Sequence, residues 1–199
     1  MIHQNCKYTT LIDYIDVFSI IDFLISIDVD FFCLEYVEGI TFLALDFDQT
    51  VIDIHTGGRW NGSVSELASH VRPIFTELIN TAHDAGFAIA IVTFSPQVDH
   101  IREVLETHFT FANKIVIRGR DHSWFYEGSG MKKGKQPFMA SAAEELFTKQ
   151  PEMNITKKTT LLIDDDPNNI KLALDDGVRG ILFNPRRSSN LINDILSIP

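Results

Sequence analysis

T-F-L-A-L-D-F-D-Q-T-V, residues 41–51, is the stretch of sequence that decides the fold. Residues 41–45 are almost unbroken apolar, which predicts a strand buried on both faces of a parallel sheet. This strand ends directly before Asp46 and Asp48. Because open α/β sheets bind ligands outside the carboxyl ends of their strands, we expect both carboxylates to face a ligand. An Asx turn at a strand end is the alternative interpretation of an isolated D-x-D.

The close spacing of Asp46 and Asp48 favours metal-assisted phosphoryl chemistry. Two carboxylates one residue apart repel each other, and a bound cation offsets that repulsion. Mg²⁺ usually binds one or two carboxylates together with phosphate oxygens of a substrate. One aspartate can then attack phosphorus and form an aspartyl-phosphate, while the other acts as general acid and then as general base.

A second apolar run, residues 87–92, ends directly before Thr93. It predicts a second buried strand, whose carboxyl end lies at the same edge of the sheet as Asp46. A hydroxyl group there can donate a hydrogen bond to a phosphoryl oxygen. Thr93 is therefore our first candidate for a substrate-binding hydroxyl and Ser95 the second, although β-propensity alone also explains a threonine here.

A further apolar run, residues 159–163, ends in three consecutive acids, with Pro167 directly after them. This pattern predicts a strand followed at once by a helix, because proline suits the first turn of a helix. Three adjacent acids at the end of a buried strand need a cation, so Asp164 and Asp165 are candidate metal ligands. Asp166 is expected to cap the helix instead.

Residues 114–135 form a basic segment, with six Lys or Arg and only two acids, in an otherwise acidic chain. An anionic ligand is the natural inference. Trp124 lies among three consecutive aromatic residues here, and we predict that it contacts substrate; packing of these rings on the core is the alternative. Lys135 stands close to the start of a helix predicted over residues 138–147, where it could neutralise phosphate charge.

Taken in order, these motifs resemble the four motifs of haloacid dehalogenase-like phosphatases. D-F-D-Q-T resembles the first motif, Thr93 the second, and G-K-Q-P-F at residues 134–138 the third, with Lys132 and Lys133 as rivals for its lysine. The fourth is a D-D-x-x-x-N pattern formed by Asp164, Asp165 and Asn169. The resemblance implies that Asp46 is the nucleophile and Asp48 the acid–base residue, and that Thr93 and Lys135 complete the catalytic set. It also implies Mg²⁺ as the cofactor, bound by Asp46, Asp48, Asp164, Asp165 and Asn169, with Asp165 as a direct ligand.

The family resemblance covers about residues 41–185 and predicts a three-layer Rossmann-like α/β fold around a central parallel sheet. We expect an active domain over residues 41–199 and a helical extension over residues 1–40. Periodicity and proline positions predict the remaining elements. These are strands at 114–117 and 178–183, and helices at 65–85, after Pro96, after Pro167 and at 188–197. If the helix over residues 65–85 begins late, Pro73 sets its first turn.

The intervals that carry large cap domains in this family hold only short segments here. Residues 52–67 read as a glycine-rich flap, in which His55 and Arg59 could contact substrate. An ordinary loop histidine and a solvated arginine are the favoured alternative, because loops often carry such residues without function. An open site suits a bulky phosphomonoester, such as a phosphoprotein or a nucleic-acid end. A phosphotransferase or mutase of the same family, and a catalytically idle binding module, are the alternatives.

Composition narrows the function classes. The chain has 199 residues, 45% of them apolar, and a formal net charge of -10, which argues against extensive nucleic-acid binding. The only cysteines, Cys6 and Cys33, suggest reduced thiols in a cytoplasmic protein.

The first forty residues are apolar but carry regularly spaced acids, so we predict neither a membrane span nor a secretory signal there. Residues 9–27 are predicted to form a helix with one narrow polar stripe. We expect its apolar faces to pack on the domain itself or, less favoured, on a second copy of the chain in a homodimer.

Overall fold

The computed structural model describes residues 39–198, so the predicted helix over residues 9–27 and its packing lie outside the described residues. At the centre is one sheet of five parallel strands in the order β3-β2-β1-β4-β5, which confirms the predicted α/β fold class. The strands are β1 (Phe42–Leu45), β2 (Ala88–Val92), β3 (Val116–Arg118), β4 (Thr160–Asp164) and β5 (Arg179–Leu182).

Strand β1 lies in the middle of the sheet because its apolar run can be buried on both faces. All four of its residues are buried, and Leu45 stands in register with Ile91 of β2 and Ile163 of β4. The amide of Asp46 then donates to the carbonyl oxygen of Ile163 at 3.0 Å. The first acidic residue is thereby fixed at the carboxyl end of the central strand.

Helices cover both faces of the sheet and produce the predicted three layers. Alternate residues of β1 belong to two separate hydrophobic cores: Leu43 and Leu45 to one, Phe42 and Ala44 to the other. The helices that contribute to the first core are α1 (Val64–Ala68), α2 (Pro73–Asp84), α3 (Val98–His108) and α6 (Leu191–Leu196), and those of the second are α4 (Gln136–Lys149) and α5 (Pro167–Asp175).

Three predicted helices begin elsewhere in the structure; one of them, predicted over residues 188–197, begins at Leu191. The single helix expected over residues 65–85 is divided into α1 and α2, because Pro73 holds the preceding Arg72 in an extended conformation, with φ −70° and ψ 131°. Val71 instead forms an isolated antiparallel bridge with Ile52. Helix α3 begins at Val98 rather than at Pro96, since Pro96 belongs to the turn that precedes it.

Within the described residues, two loops stand at the places where the family resemblance would put a cap domain. They are residues 53–63, which are the loop part of the predicted flap and are called the flap below, and residues 119–135; neither loop contains a helix or a strand. Within residues 39–198, no helix has the length and apolar character needed to cross a membrane.

Candidate active site

The carboxyl ends of β1, β2 and β4 meet around a cavity of about 510 Å³. Ten of the eleven residues named as site candidates line it, one of which is His55 of the flap. The other nine are Asp46, Asp48, Arg59, Thr93, Ser95, Lys135, Asp164, Asp165 and Asn169.

Three carboxylates on neighbouring strands form a group that could hold a metal ion. Asp46 follows β1, Asp164 ends β4, and Asp165 follows it, with one oxygen of each within 4.8 Å of the others. Asp46 and Asp164 are buried and Asp165 is partly buried. Hard oxygen donors concentrated in this way suit a hard divalent cation. The position of the group follows directly from the parallel pairing of β1 with β4.

Burial has the largest effect on the pKa values of Asp46, Asp164 and Asp165. It raises the pKa of Asp46, against which the positive charge and hydrogen bond of Lys135 act. Burial also raises the pKa of Asp164 to about 7, with a further contribution from the negative charge of Asp46. Burial raises the pKa of Asp165 as well, although a hydrogen bond from Thr50 acts in the opposite direction. Each upward shift reflects the cost of burying a negative charge in this site, which the positive charge of Lys135 only partly offsets.

Lys135 supplies one positive charge to the carboxylate group. Its ammonium group donates to Asp46 Oδ1 at 2.5 Å and to the carbonyl oxygen of Val92 at 2.6 Å, and it lies 3.8 Å from Asp164 Oδ2. The side chain is only 1% exposed, whereas Lys132 and Lys133 are exposed. Lys135 reaches this depth because it immediately precedes α4.

Thr50 is a site residue that our sequence interpretation left out. Its fully buried hydroxyl lies 3.3 Å from Asp46 Oδ2 and 3.4 Å from Asp165 Oδ1, so it bridges two of the three carboxylates. The turn of residues 47–51 brings it there through a left-handed Gln49, with φ 60°. The sequence could have indicated this residue, because Thr50 is the last residue of the D-x-D-x-T motif.

The carboxylate of Asp48 lies apart from this group and points to the flap. Asp48 Oδ2 accepts hydrogen bonds from the amide and the hydroxyl of Thr56, at 3.1 and 2.8 Å, and lies 3.0 Å from Nδ1 of His55. The three-carboxylate group does not include Asp48, so the structure does not support its side chain as a metal ligand. Our sequence interpretation also did not anticipate that Thr56 holds Asp48.

Two residues after β4 support Asp164. The Asn169 amide donates from Nδ2 to Asp164 Oδ2 at 2.9 Å, so in this arrangement the amide orients a candidate ligand rather than offering its own oxygen. The backbone amide of Asp166 donates to Asp164 Oδ1 at 2.8 Å. The carboxylate of Asp166 itself accepts from the amide of Asn168 at 2.8 Å, which confirms the predicted helix cap.

Thr93 and Ser95 form a compact turn after β2. Thr93 Oγ1 accepts from the amide of Ser95 at 3.1 Å, and Ser95 Oγ accepts from the amide of Gln97 at 3.2 Å. Both hydroxyl groups are acceptors in these contacts, and neither donates to another of residues 39–198. Each can therefore still donate to a ligand oxygen in the cavity.

Trp124 is the predicted site residue that the structure places elsewhere. Its ring packs edge-on against Phe138, with centroids 4.7 Å apart, and its indole NH donates to the carbonyl oxygen of Gly119 at 2.7 Å. It does not line the cavity. Burial of the ring on the second core explains its position, so the packing alternative describes it better than a substrate contact.

Comparisons with known proteins find similarity only at the level of solved structures. No family model and no curated protein matches the chain. An uncharacterized protein from Corynebacterium glutamicum is 17% identical with a TM-score of 0.47, over 79% of this chain and 96% of that chain. The N-terminal part of a Bacteroides fragilis protein, which contains a phosphatase domain and is complexed with Mg, is 17% identical with a TM-score of 0.48. That match covers 87% of this chain and 44% of that chain.

Proposed function

We propose that this chain is a Mg²⁺-dependent phosphatase of the haloacid dehalogenase-like type, which hydrolyses a phosphomonoester through an aspartyl-phosphate on Asp46. The observation that carries the proposal is the environment of Asp46. Its carboxylate lines the cavity, contacts the buried ammonium group of Lys135, and belongs to the group it forms with Asp164 and Asp165. A carboxylate nucleophile needs this kind of electrostatic support to meet an anionic phosphate.

The donor set fits Mg²⁺, which prefers carboxylate and phosphate oxygens. Asp46, Asp164 and Asp165 would hold the ion, and Thr50 and Asn169 would orient them. When bound, Mg²⁺ supplies positive charge that stabilises and orients a phosphoryl group.

In the first step, an oxygen of Asp46 attacks phosphorus, and the bond from phosphorus to the leaving-group oxygen breaks. Asp48, in its protonated form, gives its proton to that oxygen. Thr93, Ser95 and Lys135 donate hydrogen bonds to the phosphoryl oxygens, where negative charge is concentrated.

In the second step, Asp48 takes a proton from a water molecule, and the resulting oxygen attacks the phosphorus of the aspartyl-phosphate. The bond between phosphorus and the Asp46 oxygen breaks, inorganic phosphate is released, and Asp48 is protonated again for the next cycle. Asp48 lines the same cavity as Asp46, and its carboxylate is held there by the amide and hydroxyl of Thr56.

The physiological substrate we propose is a bulky phosphomonoester, with a phosphoprotein or a nucleic-acid end as the leading examples. The flap borders the cavity through His55, Gly57, Gly58 and Arg59, and residues 39–198 contain no cap domain over it. Arg59 lines its flap side as an exposed cation that can contact the body of an anionic substrate. We also propose that the protein is cytoplasmic.

A direct test measures Mg²⁺-dependent hydrolysis of p-nitrophenyl phosphate and then locates the phosphoryl group in acid-quenched enzyme by mass spectrometry. We expect turnover and a modified peptide that contains Asp46. Absence of turnover with every phosphate ester tried would favour the idle binding module. Transfer of the phosphoryl group to an added sugar in preference to water would favour the phosphotransferase.

A further inference from the structure

The side chain of Gln97, which lies outside the cavity, fastens the Trp60 end of the flap to the body of the domain. Its Oε1 accepts a hydrogen bond from the amide of Trp60, and its Nε2 donates to the carbonyl oxygen of the same residue at 3.0 Å. Gln97 lies between β2 and α3, where its backbone amide donates a hydrogen bond to Ser95 Oγ. A carboxamide can make this double contact because it carries both a donor and an acceptor.

The part of the flap that Gln97 fastens is continuous with the part that holds Asp48. The amide of Arg59 donates to the carbonyl oxygen of Thr56 at 3.3 Å and closes a tight turn. Gly57 and Gly58 within this turn have φ values of 63° and 73°. Glycine makes such a turn possible but leaves it intrinsically mobile, so the position of Thr56 depends on how the far side of the turn is held.

We propose that Gln97 is a positioning residue for Asp48. By holding the backbone of Trp60, it fixes the glycine turn and so the Thr56 amide and hydroxyl that orient the Asp48 carboxylate. This inference rests on the proposed function, in which Asp48 transfers a proton to the leaving group. The flap then governs proton transfer without covering the substrate.

The consequence is a selective loss that depends on the leaving group. An alkoxide leaving group needs a proton from Asp48 as its bond to phosphorus breaks, whereas p-nitrophenolate departs as a stable anion and needs none. The value of kcat/KM for each substrate reports only the steps through formation of the aspartyl-phosphate. Its ratio between an alkyl phosphate and p-nitrophenyl phosphate therefore isolates the proton donation.

The experiment compares that ratio in wild type, Gln97→Ala and Gln97→Glu, with Gln150→Ala as a control on the exposed end of α4. Gln97→Glu keeps an acceptor for the Trp60 amide but loses the donor to the Trp60 carbonyl. We expect both Gln97 variants to lower the ratio roughly ten- to hundredfold, part of the 10² to 10⁴ that acid–base catalysis contributes. The control should leave it unchanged.

A double substitution separates positioning from general damage. In the Asp48→Asn background, Gln97→Ala should lower the ratio no further, because the proton donor is already absent. An equal fall in kcat/KM for both substrates, or an unchanged ratio, would overturn the positioning role while leaving the phosphatase proposal in place. A wild-type protein that hydrolyses neither substrate would overturn both.

Discussion

The ammonium group of Lys135 donates to Asp46 Oδ1 at 2.5 Å, from a side chain that is 1% exposed. Asp46 directly follows β1, and Lys135 directly precedes α4, so the hydrogen bond connects the central strand to this helix. A lysine buried to this extent is stable as a cation only because acceptors surround it. The pair therefore serves both the folded structure and the proposed chemistry.

Lys135→Met should destabilise the protein, because it leaves the Asp46 carboxylate buried without its partner. Breaking a buried ion pair from one side typically costs about 3–5 kcal/mol. Urea unfolding of the single and double variants checks this. Lys135→Met combined with Asp46→Asn should recover part of the loss, and a double variant no more stable than Lys135→Met would show that the pair contributes no such coupling.

Asp46→Asn should abolish turnover while leaving the fold intact, since it removes the attacking oxygen and keeps the shape of the side chain. Asp48→Asn should be less severe, with kcat reduced by roughly 10² to 10⁴, and should accumulate phosphorylated enzyme. Steady-state kinetics and circular dichroism of both variants measure these effects. Wild-type-like activity in Asp46→Asn would contradict the assignment of the nucleophile.

Removal of divalent cations with EDTA should abolish activity, and Mg²⁺ should restore it. Ca²⁺ should suppress activity, because it takes more ligands in a looser geometry than Mg²⁺ does. Asp165→Ala should sharply raise the Mg²⁺ concentration needed for half-maximal activity, with the exposed Asp175→Ala as a control. Unchanged Mg²⁺ affinity in Asp165→Ala would remove Asp165 from the metal site.

The pH dependence of metal binding should follow Asp164, whose pKa burial raises to about 7. Mg²⁺ must displace the proton from this carboxylate, so its affinity should fall as the pH drops below about 7. Calorimetric titrations between pH 5 and 8 in buffers of different ionisation enthalpy should detect proton release at the acidic end. A flat affinity profile over that interval would contradict the prediction.

The same group should make the metal-free protein less stable as the pH rises. The pKa of Asp164 is raised from 3.8 in its unperturbed state to about 7 in the fold. The folded state therefore binds the proton more tightly, and this contribution is complete below 3.8 and is lost as the pH passes through 7. Thermal unfolding in EDTA should show this decline in wild type, and the decline should be smaller in Asp164→Asn, which cannot titrate there.

The position of the site could be predicted because a buried parallel strand appears in the sequence as a run of apolar residues. Asp46, Thr93 and Asp164 each stand at the end of such a run, and parallel pairing brings the ends together. Lys135 was preferred over Lys132 and Lys133 because it belongs to the G-K-Q-P-F motif, two residues before Pro137. In the structure, Lys135 is the one of these three lysines that contacts Asp46.

The contacts that the sequence did not predict depend on loop conformation. Thr50 reaches two carboxylates through a left-handed Gln49, and Asp48 meets Thr56 through the flap. No periodicity encodes these turns. The basic segment is divided for a similar reason, because net charge along a sequence does not show pairing. Arg118 bonds Glu145 at 2.5 Å, whereas Lys135 is the one of the six basic residues that lines the cavity, beside Asp46.

The order of the strands makes the site a product of long-range folding. Asp46 and Asp164 lie on neighbouring strands of the sheet, yet β2 and β3 separate them along the chain. Contacts between segments so distant in sequence form slowly, because the intervening chain must first be closed into a loop. A nascent or truncated chain that has not docked β4 cannot assemble the three carboxylates, so the gain of Mg²⁺ affinity during refolding should report the docking of β4 onto β1.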